Sequence, residues 1–343
     1  MLSQIIEQRR RWLRDMPARM ALKLFNRPGV RILLGRKYSD AIRIHQPILP
    51  RLSEIDAKIV DALERDGVYI TTVDALGLAD ANAVIEEART LSEAFADEAR
   101  ARVANGEVFV IVPPDRIIDH PSIYLLGLQD RLLDIAESYI GLPPAYDGVT
   151  INYTVADGRE VSTRKWHRDW EDRRMLKVAI YLDDVDEDGG PFQMIRRHDM
   201  LQSDEAGFNY ELVDDAALTE TLGATYADDI VSCCGPAGTV IFTDTARFFH
   251  RGKPATARDR MAVFYSYFAQ TPRHPFLCER TGMQRAAVVA AGVWPAARYR
   301  CAASRSAHTG TDGAASGQNN CRIRPSDRAR WPACRGGRSE PYR

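Results

Sequence analysis

Two of the seven histidines in this 343-residue chain stand where they could share a metal ion. The first opens a His-x-Asp pair in Lys165-Trp166-His167-Arg168-Asp169-Trp170. On an extended strand, alternate residues point to one face, so His167 and Asp169 would reach the same point. The second follows the apolar run Thr239-Val240-Ile241-Phe242-Thr243, in Phe248-Phe249-His250-Arg251-Gly252. Two imidazoles and one carboxylate on one face of an ion form a facial triad that leaves positions open for small reactants. Nitrogen and oxygen donors without thiolate suit iron(II) better than structural zinc. A lone His-x-Asp pair is common by chance, and the distant His250 is what gives it weight.

A fourth residue extends the reading. Arg260 directly precedes the apolar run Met261-Ala262-Val263-Phe264-Tyr265. A buried guanidinium can hold a carboxylate through two parallel hydrogen bonds, which lysine cannot reproduce. A pocket for the distal carboxylate of 2-oxoglutarate has that need. Arg258 is a competing candidate, and the direct junction with the apolar run favours Arg260.

These residues need elements to position them. Val108 to Val112, Val149 to Thr154, Lys177 to Leu182, Thr239 to Thr243 and Met261 to Phe268 read as short strands separated by turn signals. The pattern predicts a mainly β, jelly-roll or barrel core. Helices are expected before it. Residues 2–25 read as a basic amphipathic helix that packs on the main domain or a partner, or else touches a membrane surface. Leu52 to Arg65 reads as a second helix, capped by Ser53, stopped by Gly67 and apolar along Ile55, Ile59, Val60 and Leu63. A strand follows from Val68 to Val73, then a helix from about Asp80 to Val103 covering the outside of the core, and a short helix near Gln129 to Ile140. The resulting division is a helical extension over 1–50, a catalytic domain over 51–283, and an Ala/Arg/Gly/Ser-rich tail over 284–343. The tail loses hydrophobic periodicity after Met283, is expected to be disordered, and reads as sequence from outside the original frame.

Composition narrows the class. Hydrophobic residues make up 45% of the chain, enough for a globular core, and the formal net charge of -1 points to no nucleic-acid partner. Six cysteines are too few for a disulfide scaffold at this length, and none forms a zinc-type pair, which fits a reducing cytoplasm. The start of the chain does not read as a secretory signal, and no run approaches the ~20 apolar residues of a membrane span.

Taken together, Trp-His-Arg-Asp at 166–169, Lys-Val-Ala-Ile-Tyr-Leu-Asp-Asp-Val at 177–185, Gly-Gly-Pro-Phe at 189–192 and His-Arg-Gly-Lys-Pro at 250–254 with Arg260 after it resemble the phytanoyl-CoA dioxygenase-like branch of the iron(II)/2-oxoglutarate oxygenases. The resemblance covers about residues 50–280. It implies a double-stranded β-helix, a cupin-like jelly roll. It implies iron(II) on His167, Asp169 and His250, and 2-oxoglutarate on Arg260, with Asn152 as a second contact or an ordinary strand-edge residue. It also implies dioxygen as co-substrate, release of succinate and carbon dioxide, and oxidation of an unactivated C–H bond in a small molecule. Related halogenases replace the metal carboxylate with a small residue, so Asp169 favours hydroxylation. Some relatives carry a hydroxyl residue where Gly252 stands, so another group must share the co-substrate here.

Three rival readings remain. Asp184-Val185-Asp186-Glu187-Asp188-Gly189 opens like a calcium-binding loop, but its twelfth position is Ile195 rather than a bidentate glutamate, which leaves a solvated hairpin turn. The run Arg164, Lys165, Arg168, Arg173, Arg174 and Lys177 is either a rim for a phosphate or CoA-type substrate or a solvated charged face. The metal site itself could be structural or regulatory in a non-catalytic jelly-roll protein. No motif names the substrate, so a lipid or acyl-CoA, an amino-acid derivative and a secondary metabolite all fit.

Overall fold

The computed structural model describes residues 16–198 and 207–278. Two antiparallel sheets hold the centre of the chain. The larger has six strands in the order β1 (Val68–Thr72), β7 (Thr239–Thr243), β4 (Leu176–Tyr181), β9 (Arg260–Ala269), β3 (Pro144–Thr154) and β2 (Val110–Ile111). The smaller has three, in the order β6 (Ile230–Cys233), β5 (Phe192–Ile195) and β8 (His250–Gly252).

Side-chain alternation divides the large sheet into two faces. Val149, Ile151, Val178, Ile180, Val240, Phe242, Val263 and Tyr265 face a layer of helices and share one core with Ile59, Leu63, Phe95 and Leu132. Ala179, Tyr181, Ile241 and Ala262 face the other way and pack on Phe192, Met194 and Cys233 of the small sheet. The register places Thr154 opposite Arg260, Asn152 opposite Ala262 and Lys177 opposite Thr243 and Ser266. Directly opposed residues share a face, so Asn152, Thr154, Lys177 and Arg260 all lie on the side of the small sheet.

The helices follow local signals where these are strong. In Glu54–Asp66, Ser53 accepts a hydrogen bond from the Asp56 N–H, and Gly67 ends the helix at φ 74°. That turn lies against the Phe248 ring, so a side chain at Gly67 would collide with it. The buried face is Ile59, Ala62 and Leu63, whereas Ile55, expected on it, is 48% exposed.

Other expectations are corrected. The long helix after Asp80 is two, Ala81–Ala94 and Ala96–Ala104, broken where Phe95 turns fully into the core. The strand expected from Val108 to Val112 is only Val110–Ile111, and Val73 begins a short helix instead of ending β1. The turn at 184–189 joins β4 to β5 and so crosses between sheets rather than closing a hairpin. Two short helices, Pro114–Ile118 and Pro121–Leu126, sit in a stretch without a prior expectation. At the N-terminus, residues 16–25 are helical and Pro28–His45 forms a further helix. Residues 2–15 and the tail over 284–343 lie outside the described residues. No helix of the described residues is long and apolar enough to cross a membrane.

Candidate metal centre

His167, Asp169 and His250 come together, all buried, with one ligand atom from each lying within 4.8 Å of the others. The backbone sets the distances. His167 N–H donates to the His250 carbonyl and His250 N–H to the His167 carbonyl, each at 3.0 Å. Asp169 N–H donates to the Thr245 carbonyl at 2.7 Å. The pair at 167 and 169 therefore does not sit on a regular strand, as the spacing suggested. An isolated bridge to the edge of the small sheet holds His167, and a loop contact holds Asp169.

Each imidazole is also oriented. His167 Nδ1 lies 2.8 Å from the Lys165 carbonyl and His250 Nδ1 3.3 Å from the Phe248 carbonyl. A carbonyl only accepts, so both Nδ1 atoms carry the proton and both Nε2 atoms keep a lone pair for a metal. Burial, then the adjacent His167, push the His250 pKa well below the usual imidazole value, which favours the neutral, ligating form. The Phe192 ring stacks on His250 with centroids 5.6 Å apart. Lys177 Nζ stands 2.5 Å from Asp169 Oδ2, so an ammonium holds one oxygen of the triad's carboxylate.

Arg260 begins β9 and is buried. Its Nη2 donates to Thr154 Oγ1 at 3.2 Å, while Nη1 has no hydrogen-bond partner. Asn152 Oδ1, on the neighbouring strand and the same face, is likewise buried without one. A buried unsatisfied donor costs about 1–3 kcal/mol, so an unpaired guanidinium nitrogen in a folded interior calls for a partner from outside the chain, a bound molecule or a water. Burial lowers the Arg260 pKa, with Tyr181 and Asp183 opposing it, and the group remains a cation. A Cβ at Gly252 would come within 2.9 Å of Arg260 Nη2, so this glycine makes the room in which the guanidinium lies. The donor set and the unsatisfied nitrogen fit a metal and a dicarboxylate.

The competing arginine is placed elsewhere. Arg258 is half exposed and pairs with Asp186 in the 184–189 turn. In that turn Asp186 Oδ1 also accepts the Gly189 N–H, Asp184 accepts the Ala237 N–H and Glu187 pairs with Lys253. The basic run is dispersed as well. Arg164 pairs with Asp157, Lys165 with Asp214, Arg174 with Glu64 and Lys177 with Asp169. Arg168 stacks over Phe249 and Arg173 over Tyr38.

Lys177, Thr154 and Tyr210 were not read as parts of a metal or co-substrate site. The register supplies the signal for the first two, because it sets Thr154 opposite Arg260 and turns Lys177 to the same face. Tyr210 had no signal. Its ring lies 4.2 Å from Trp170 and 6.3 Å from His167, centroid to centroid. A separate groove of about 410 Å³, lined by Arg65, Tyr69 and Arg196 among others, opens beside β1 and β6 and includes none of these residues.

No protein-family model matches this sequence, and no curated protein does. Solved structures do resemble it. EctD from S. alaskensis with bound Fe is 20% identical, with 69% of this chain and 88% of that one covered, at a TM-score of 0.45. HygX from Streptomyces hygroscopicus, with nickel and 2-oxoglutarate bound, is 15% identical over 64% and 88%, at 0.41. The non-heme alpha ketoglutarate dependent epimerase SnoN from nogalamycin biosynthesis is 17% identical over 63% and 82%, at 0.40.

Proposed function

We propose that this chain is an iron(II)- and 2-oxoglutarate-dependent oxygenase of the phytanoyl-CoA dioxygenase-like kind, built on a double-stranded β-helix. In this reading it hydroxylates an unactivated C–H bond of a small molecule. The observation that carries the reading is the buried, half-satisfied Arg260 guanidinium on the same sheet face as Lys177, which contacts the triad's aspartate. A structural metal site needs no such cation.

His167 and His250, through Nε2, and Asp169 would hold the iron. When bound, the iron with 2-oxoglutarate and dioxygen would supply an oxidant for C–H bonds, with 2-oxoglutarate consumed and released as succinate and carbon dioxide. The chain's own residues do the rest. The carbonyls of Lys165 and Phe248 fix the imidazole protons on Nδ1. Lys177 restrains one oxygen of Asp169. Arg260, with Thr154 and Asn152 beside it, anchors the far carboxylate of the co-substrate. Gly252 contributes space rather than a hydrogen bond. The Tyr210 ring, against His167 on one side and Trp170 on the other, would limit access of water. Asp169 keeps a carboxylate at the position where a halide would otherwise enter, so oxygen insertion is the favoured outcome. The free thiols of Cys233, Cys234 and Cys278 suit a reducing compartment.

The test is turnover without the native substrate. Protein loaded with iron(II) under nitrogen and then given 2-oxoglutarate and oxygen should release succinate slowly, and Arg260→Ala should suppress this at low 2-oxoglutarate. Tight metal binding with no succinate at any concentration would instead favour a structural or regulatory metal site.

A further inference from the structure

The two N-terminal helices and the short 3-10 turn Gln46–Ile48 after them expose a surface that the metal centre does not use. Of ten strongly exposed large apolar side chains among the described residues, six fall here: Met20, Leu24, Ile32, Leu33, Ile44 and Ile48. The clustering separates them from the scattered exposed apolar residues that any soluble surface carries. In Pro28–His45, Tyr38, Ala41 and Ile42 pack on the core, and no residue of the helix is fully buried. At 3.6 residues per turn, Ile32, Leu33 and Ile44 project from the opposite side, together with Arg36, Lys37 and Arg43. In the preceding turns Met20 and Leu24 are 64% and 48% exposed, one helical turn apart, beside exposed Arg19 and Lys23.

Charge indicates what covers this face. Residues 16–45 hold seven Arg and Lys and one acidic residue, Asp40, a net +6 in a chain whose formal total is -1. Arg43 pairs with Asp40, and among the described residues no ion pair engages Arg19, Lys23, Arg27, Arg36 or Lys37. From this we infer that residues 16–48 form a docking surface for an anionic lipid bilayer, on which the helices lie in the plane of the headgroups. Ile32, Leu33, Ile44 and Met20 enter the headgroup boundary, and the flexible cations extend to lipid phosphates. A second copy fits worse, because it would set +6 against +6. The surface is independent of the oxygenase reading and stands or falls without it. It also places further along the chain the membrane contact that was one of two alternatives for residues 2–25.

The test is sedimentation of the full chain with vesicles of phosphatidylcholine alone and of phosphatidylcholine with about one third phosphatidylserine, at low and high salt. Binding should require phosphatidylserine and weaken with salt. Arg36→Glu with Lys37→Glu should reduce it at least roughly tenfold, as should Arg19→Glu with Lys23→Glu. Ile32→Ser with Ile44→Ser should reduce it even at low salt. All six positions are exposed, so the melting temperature should not move. Absence of binding, equal binding to both vesicle types, or binding unchanged in the three double variants overturns the inference. Self-association that Ile32→Ser with Ile44→Ser abolishes also overturns it, by assigning the face to a second copy.

Discussion

The two faces of the large sheet are built from the same strands and differ by one residue of register. Toward the helices, β3, β4, β7 and β9 present Val149, Ile151, Val178, Ile180, Val240, Phe242 and Val263. Toward the small sheet they present Asn152, Thr154, Lys177, Thr243, Arg260 and Ser266, interspersed with Ala179, Ile241 and Ala262. The first face is what a core needs. The second costs stability, because buried polar groups must be paired and Arg260 Nη1 is not. One side of the sheet therefore serves the fold, and the other retains Arg260 Nη1 and Asn152 Oδ1 without a protein partner.

Substitutions on the two faces should separate cleanly. The largest effect belongs to the ligands. Asp169→Ala or His250→Ala removes a ligand itself and should weaken iron(II) binding well beyond the roughly 100-fold that loss of an outer-shell partner can cost, with folding retained, in anaerobic calorimetry. Next comes the helix face. Phe242→Ala should cost about 3–5 kcal/mol in chemical denaturation and leave metal affinity in the folded protein unchanged. An equal loss of metal affinity there would erase the distinction between faces. Arg260→Lys keeps the charge and loses the fork, so 2-oxoglutarate affinity should fall roughly 10- to 150-fold, by the 1.5–3 kcal/mol of a charged hydrogen bond, while iron affinity holds.

A smaller effect comes from the margin of the site. His274 is buried, its Nδ1 donating to the Trp170 carbonyl, with the rings of Phe25, Phe208 and Phe276 around it. Burial lowers its pKa from 6.5 to about 4. A base with a depressed folded pKa stays neutral in the fold and protonates more readily when unfolded. Stability is therefore lost as pH falls from 6.5 toward 4, by up to about 3 kcal/mol. Melting curves should show this loss, and His274→Gln should flatten it.

How much of this was readable in advance follows from segment length. The strands of the large sheet span up to eleven residues, as in β3, and their apolar runs stand out. The small sheet has strands of three and four residues, too short to show a two-residue period, so β5, β6 and β8 gave no signal although β8 carries His250. His167 and Asp169 were placed together by spacing, yet a long-range bridge and a contact to Thr245 hold them, which no local pattern encodes. Arg260 was legible because an arginine heading an apolar strand is unusual. Thr154 and Lys177 became legible only once register was known. The break at Phe95 had no glycine or proline to mark it, and the demand of the core for that ring set it.

In the proposed function Arg260 and the triad serve one ligand set. The direct measurement is the visible spectrum of the iron(II)-loaded protein under nitrogen as 2-oxoglutarate is added. A weak absorption band from the iron-bound keto acid should appear, saturable in the wild type, requiring higher 2-oxoglutarate in Arg260→Lys and absent in Asp169→Ala. A wild-type protein that retains iron and shows no band at any 2-oxoglutarate concentration would contradict the proposed function.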